Sequence, residues 1–424
     1  MPTQQAKAVN SEPATTMEIE DLEVESSIEK IRRQGIQILI AGFFTNFIVF
    51  GVGFTYGVFQ EFYLSPEGPL SHESAATVAL IGTLATSITY MGAVFLSTIR
   101  KYVPTNISMC VGGILLSMGL ICASWCTKVW QFALTQGIMF GLGSSATYIP
   151  PIVFAPQYFN KHRGIAMGIV FAGTGFGSLV FAFLTRYLIV HLGWQWAVRI
   201  LGFISMAVTM VCSQFVHPHP NFLSNTGSIL VSSSVLKSRK FNLQMFGALL
   251  QAMAYLVPLV YMASYGTTLG FSSNQGATFI AINNVVNAIS KVVLGHFADN
   301  IGKINMLTLC CGMSMITVYA LWLIPNRSTF ISFVVLYGVT SGPIISLIPA
   351  CLSETFGVQT YYSVSGMLYL FRGIGNLLGS PIAGLLIKGN PGNTSSYFNV
   401  IQYTGAALAA STICSAVMAL TAQT

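Results

Sequence analysis

Long stretches of this chain contain no Asp, Glu, Lys or Arg. Residues 34–60 are free of them, as are 74–99, 102–127, 129–160, 241–290, 304–326 and 328–353. A helix needs about 20 apolar residues to cross the hydrocarbon core of a bilayer, so several of these runs hold one helix and a turn, or two helices. Soluble domains carry roughly 25% charged residues; this chain of 424 residues carries 7%, against 53% hydrophobic. Stretches such as 199–212 and 332–350 do not alternate apolar with polar side chains, as the strands of a membrane barrel do. The pattern predicts an all-α membrane protein with twelve spanning helices. They fall at about 35–61, 73–98, 106–126, 129–154, 164–188, 194–215, 242–266, 275–298, 304–324, 328–351, 360–387 and 397–420.

The first 30 residues hold seven acids against Lys7 and Lys30, few apolar side chains and no aromatic ring. They cannot bury enough surface to fold alone, and they lack the basic start and apolar centre of a signal peptide. Residues 1–33 are expected to be a disordered acidic tail. Lys and Arg collect in cytoplasmic loops. Starting the chain inside puts Arg32, Arg33, Arg100, Lys101, Lys161, Arg163, Lys237, Arg239, Lys240 and Lys303 on the inner side, and only Lys128, Arg327 and Lys388 outside. Both termini are then expected in the cytoplasm and the chain in the cell membrane. The polar, proline-punctuated segment 216–241 is the expected cytoplasmic linker between a six-helix bundle at 34–215 and another at 242–424. Internal repetition agrees, since "TGFGS" begins at Thr174 and "RGIGN" at Arg372, so that Gly175 and Gly177 recur 198 residues later as Gly373 and Gly375. Parallel repeats around a central path describe a rocking transporter.

The glycines at 173, 175 and 177 tempt a nucleotide-binding reading. That fingerprint needs a preceding strand and a helix N-terminus at the phosphate, whereas these lie about ten residues inside a predicted membrane helix. Gly164/Gly168 and Gly173/Gly177 have the four-residue spacing that lets helix backbones approach closely in lipid. The eight cysteines fall in or beside the helices and read as small apolar residues. Neither they nor His217 and His219 form a convincing metal set, so no metal, cofactor or nucleic acid is expected.

Tyr158-Phe159-x-Lys161-His162-Arg163-x-Ile165-Ala166-x-Gly168, followed by Ala172-Gly173 and Gly177, resembles the fifth-helix signature of the monocarboxylate porter family within the major facilitator superfamily. That pattern usually has a second basic residue where His162 stands and leucine where Ile165 stands. "FGVGFTYGVFQEFY" (Phe50–Tyr63) is similar to the opening helix of the family's fungal branch, while its acidic-Gly-Gly-aromatic entry is reduced here to "RQGIQI" with only Gly35. The superfamily's loop motif matches Gly295, Asp299, Gly302 and Lys303 after the eighth helix; in the first half "LSTIRKYVP" lacks both acid and glycine. The resemblance implies gating by Asp299, which can accept hydrogen bonds from a neighbouring helix N-terminus.

Arg372 lies about twelve residues into the eleventh helix, roughly 18 Å from its start. Lys291 stands one turn beyond Asn287 in the eighth. Ionisable groups at such depth are costly and face a cavity or a partner, yet no Asp or Glu occurs in the middle of any predicted helix. A translocated anion could be the missing counterion; helix carbonyls, Asn283, Asn284, Asn287 or water are the alternative. The resemblance implies an acid where Asn287 stands and arginine where Lys291 stands, so a cation is kept and the usual proton-carrying acid is not. Tyr56 and Tyr148 are candidates for lining the cavity or for ordinary packing. The expected substrate site is thus Lys291, Asn287, Arg372, Asn284, Tyr56 and Tyr148. The expected function is secondary transport of a small, monocarboxylate-like organic anion by alternating access. Efflux of a fungal secondary metabolite and a non-transporting receptor or structural role stay open. An enzyme would want paired carboxylates or a histidine cluster at one depth, and the sequence has neither.

Overall fold

A computed structural model describes residues 13–99, 102–159, 161–219, 231–387 and 392–423. Eleven helices among the described residues are long and apolar enough to cross a membrane. The first half holds α1 (Ile28–Tyr63), α2 (Ala75–Leu96), α3 (Thr105–Ala123), α4 (Val129–Tyr158), α5 (Arg163–Leu192) and α6 (Trp194–Ser213). The second holds α7 (Arg239–Thr268), α8 (Asn274–Ile301), α9 (Lys303–Trp322), α10 (Arg327–Gly357) and α12 (Thr394–Thr421), together with a twelfth helix, α11 (358–385), which is not one of those eleven. The split between α10 and α11 is made by Gly357, whose φ of +75° is a conformation that side chains with a Cβ rarely adopt. Side-chain caps set several starts: Ser74 accepts from the Thr77 N–H, Ser238 from Phe241, Ser272 from Gln275 and Asn326 from Ser328. α1 breaks at Thr55 and resumes at Tyr56.

One reading needs adjustment. The backbone is already helical from Pro13 and runs without interruption into α1, where a disordered tail was expected; residues 1–12 lie outside the described residues. No Gly or Pro stands between Ala14 and Gln34, so a helix nucleated in the apolar segment propagates backwards without a new nucleation cost. Of the linker, residues 220–230 also lie outside, and the rest includes one helical turn, Ser233–Leu236.

α5 carries two glycine-lined faces. Cβ atoms on Gly164, Gly168 and Gly175 would strike backbone carbonyls of Gly295, Lys291 and Asn284 in α8, while those on Gly173 and Gly177 would strike Phe43 and Phe47 carbonyls in α1. α11 repeats the arrangement: Gly373 lies against Ser87 and Met91 of α2, and Gly375 and Gly379 against Leu249 and Met253 of α7. The 198-residue repeat is therefore a repeat of packing. Gly175 and Gly373 sit at seams between the halves; Gly177 and Gly375 sit inside a half. The two seams, α5–α8 and α2–α11, are equivalent positions of the two repeats.

The apolar core is divided in three. One cluster joins both halves around Ile38, Phe154, Met306 and Leu352, near the end of the bundle where α5 and α9 begin. We call this the basic end, for Arg163 and Lys303. Toward the opposite end each half keeps its own cluster, around Tyr63, Phe132 and Trp194 in one and Tyr265, Trp322 and Phe330 in the other. The halves are thus packed together at the basic end.

Candidate substrate site and gate

The basic end is clasped by Asp299. Its carboxylate accepts from the backbone N–H of Gly164 at 2.7 Å and of Ile165 at 3.0 Å, the free donors of the first turn of α5. Gly302, with φ of +101°, ends α8 and turns the chain straight into α9. That turn brings Lys303 Nζ to 3.6 Å from Asp299 and 3.5 Å from Glu354 at the end of α10. Gly295 meets Gly164 backbone to backbone, which only the absence of both side chains allows. Arg163 Nε donates to the Phe159 carbonyl at 3.2 Å, and its Nη1 reaches the Ser353 carbonyl of the other half at 3.5 Å. The other signature residues hold the first half together: the Tyr158 hydroxyl donates to the His217 carbonyl, the Phe159 ring covers Gly35, and Lys161 is exposed.

On the side of the second seam, between α11 and α4, a tyrosine stands in place of the clasp. Pro156 lacks an N–H, which leaves the carbonyl of Ile152 without its helical donor. The Tyr361 hydroxyl of α11 donates to that carbonyl at 3.2 Å. Arg100 and Lys101, in the first-half counterpart of the motif loop, lie outside the described residues.

Deeper in the bundle lie two buried cations, Lys291 and Arg372, each 2% exposed. Among the described residues no carboxylate stands within ion-pair distance of either. Lys291 Nζ crosses the α5–α8 seam, donating to Thr174 Oγ1 at 2.6 Å and the Phe171 carbonyl at 3.3 Å. Arg372 Nη1 donates to Gln251 Oε1 of α7, and its guanidinium carbon stands 5.7 Å from the ring centre of Tyr90 across the α2–α11 seam. One turn along α7 from Gln251, the Tyr255 hydroxyl accepts from Asn287 Nδ2 at 3.2 Å. One turn from Asn287 is Lys291, so α7 links the surroundings of both cations. Hydrogen bonds from a charged donor contribute about 1.5–3 kcal/mol each, while an unpaired buried ion costs several kcal/mol.

The other candidates separate. Tyr148 is fully buried against Phe50 at 4.9 Å and Tyr90 at 5.8 Å, and among the described residues its hydroxyl faces that of Tyr369 without reaching hydrogen-bond geometry. Asn284 is half-buried, its carbonyl pressed against Gly175. The Tyr56 hydroxyl donates to the Val78 carbonyl at 2.7 Å, tying α1 to α2 within one half. Sequence reasoning passed over Thr174, Tyr90, Gln251, Tyr255 and Tyr369. The repeat register held a signal for the first, because Thr174 occupies the position that Arg372 occupies in the second half.

Two six-helix halves with equivalent seams, an electrostatic clasp at one end and polar groups buried along the seams define a multi-pass membrane transporter. The chain belongs to the major facilitator superfamily, whose family model matches residues 38–380. It is 31% identical over 355 residues to the aspyridones efflux protein apdF of Emericella nidulans, covering 81% of this chain and 69% of that protein. It is 26% identical over 365 residues to monocarboxylate transporter 13 of Bos taurus, covering 84% of each. The crystal structure of the major facilitator transporter FucP in the outward conformation superposes with a TM-score of 0.68 at 12% identity, over 89% of this chain and 98% of that one; this likeness is one of fold.

Proposed function

We propose that the protein is a secondary transporter that moves an organic anion across the cell membrane by alternating access, with the basic end and both termini in the cytoplasm. The observation that carries this reading is the pair of buried cations at the two seams, held, among the described residues, by neutral partners. In the described conformation the basic end is closed, so an anion would enter from the opposite end. It would draw the Lys291 ammonium away from Thr174 and Phe171, loosening the α5–α8 seam that those bonds hold. Differential contact of this kind is what lets a ligand shift a two-state equilibrium. Asn287 cannot carry a proton as a carboxylate could, so transport is expected to run without strong proton coupling. The names of two relatives, a monocarboxylate transporter and an efflux protein, support small acids and larger metabolites alike. The rings around Arg372 favour a cargo with substantial apolar surface.

The test is counterflow of labelled 2-naphthoate and labelled pyruvate into vesicles containing the purified full chain. At least one acid should exchange. Lys291→Gln should abolish the exchange without reducing insertion, while Lys291→Arg should keep part of it, because charge survives and head-group shape changes. Normal exchange by Lys291→Gln would overturn the anion reading.

A further inference from the structure

Three tyrosines from opposite halves meet beside Arg372. Tyr90 of α2 and Tyr369 of α11 stack with centroids 6.0 Å apart and planes within 5°. Tyr148 of α4 stands edge-on to both, at 5.8 and 6.0 Å. Phe50 backs Tyr90 at 5.6 Å. All are buried, so the cluster is as apolar as a core, yet its polar atoms are poorly served. Among the described residues, the hydroxyls of Tyr148 and Tyr369 face one another without reaching hydrogen-bond geometry, and Gln251 Nε2, whose Oε1 is taken by Arg372, has no partner either. Ser87 Oγ, one turn before Tyr90, is also without one. Phenylalanine would pack as well at both tyrosine positions without this penalty.

The unserved groups share one property: every one can donate. Two phenol hydroxyls and a carboxamide N–H lie around a guanidinium, which is itself only a donor, with an alcohol one turn from Tyr90. Such a set is short of an acceptor carrying negative charge, and the parallel faces of Tyr90 and Tyr369 suit a flat π system. We propose that Tyr90, Tyr148, Tyr369 and Arg372 form a subsite for a planar, conjugated substrate bearing an ionised acidic oxygen. This rests on the anion reading above and narrows it. In the ligand-free conformation the rings close the α2–α11 seam upon themselves. When the halves part, the ring system of the substrate takes the place of the Tyr90–Tyr369 stack and its oxyanion accepts from the hydroxyls and the guanidinium. Because the stacking partners belong to different halves, occupancy is tied to conformation.

The experiment measures binding to the purified full chain by the ligand-dependent rise in its thermal midpoint. The probes are 2-naphthoate, the saturated decahydronaphthalene-2-carboxylate and the uncharged methyl 2-naphthoate. Naphthoate should bind about fivefold or more tightly than the saturated acid, from the added ring–ring contact, and the ester should bind more weakly than naphthoate. Tyr369→Leu should erase the preference for the flat acid. Should that variant fold poorly, Tyr369→Phe preserves the test: it should keep the preference, weaken naphthoate about tenfold, and raise the midpoint of the ligand-free protein by removing an unpartnered hydroxyl. Equal binding of flat and saturated acids, with the ester excluded, would overturn the planar subsite and leave the anion reading standing. Equal binding of acids and ester would overturn both; no binding of either acid would overturn the subsite alone if pyruvate still exchanges, and both readings if it does not. A lowered midpoint in Tyr369→Phe would show a structural hydroxyl and likewise contradict the proposal.

Discussion

Lys291 and Asn287 carry the residue-level consequences. Thr174→Val removes the closer of the two acceptors of Lys291 and should weaken the α5–α8 seam by about 1–3 kcal/mol. The measurable effect is faster labelling of Asn287→Cys by a small water-soluble thiol reagent in the double variant; unchanged labelling would show that Lys291 does not hold the seam. Asn287→Asp would place a carboxylate one helical turn from Lys291 and opposite the Tyr255 hydroxyl. Counterflow rates in that variant should depend on pH more steeply than those of the wild type, or vanish because the new ion pair competes with the cargo. Steep proton-driven accumulation by the wild type would contradict the role given to Asn287.

At the scale of helices, the two glycine faces of α5 should separate in experiment. Gly177→Ala pushes a methyl into the Phe47 carbonyl within one half, and overpacking of this kind costs about 1–3 kcal/mol. It should lower the thermal midpoint with little change in the balance of conformations. Gly175→Ala pushes a methyl against Asn284 and Ala288 across the seam, so it should favour the parted conformation and raise labelling of Asn287→Cys. The reverse pattern would mean that the seam was wrongly placed. Helix positions were legible because apolar runs end at charges. The close-packing role of the α5 glycines was legible from their spacing. What sequence could not reveal is pairing between helices: Lys291 with Thr174, Arg372 with Gln251 and Tyr361 with Ile152 join residues more than a hundred positions apart. Tyr56 looked equivalent to Tyr148 for the same reason, since only the neighbouring helix shows that one hydroxyl is taken and the other is not.

For the whole molecule, the clasp is unequal on the sides of the two seams, with Asp299 and Lys303 on one and Tyr361 on the other. Asp299→Asn keeps one acceptor and loses the charge, so it should release the basic end, altering transport rate more than affinity for the cargo. A large loss of affinity with an unchanged conformational balance would contradict a gating role. The account as a whole claims that one path between the halves opens alternately at either end. Spin labels on Lys161→Cys with Asn300→Cys span the halves at the basic end, and labels on His191→Cys with Asn274→Cys span them at the opposite end, all at exposed positions. The most direct measurement is the distance within each pair in vesicles, with and without Asp299→Asn. The account predicts that the variant lengthens the basic-end distance while shortening the other; two distances that stay fixed, or move in the same direction, would contradict it.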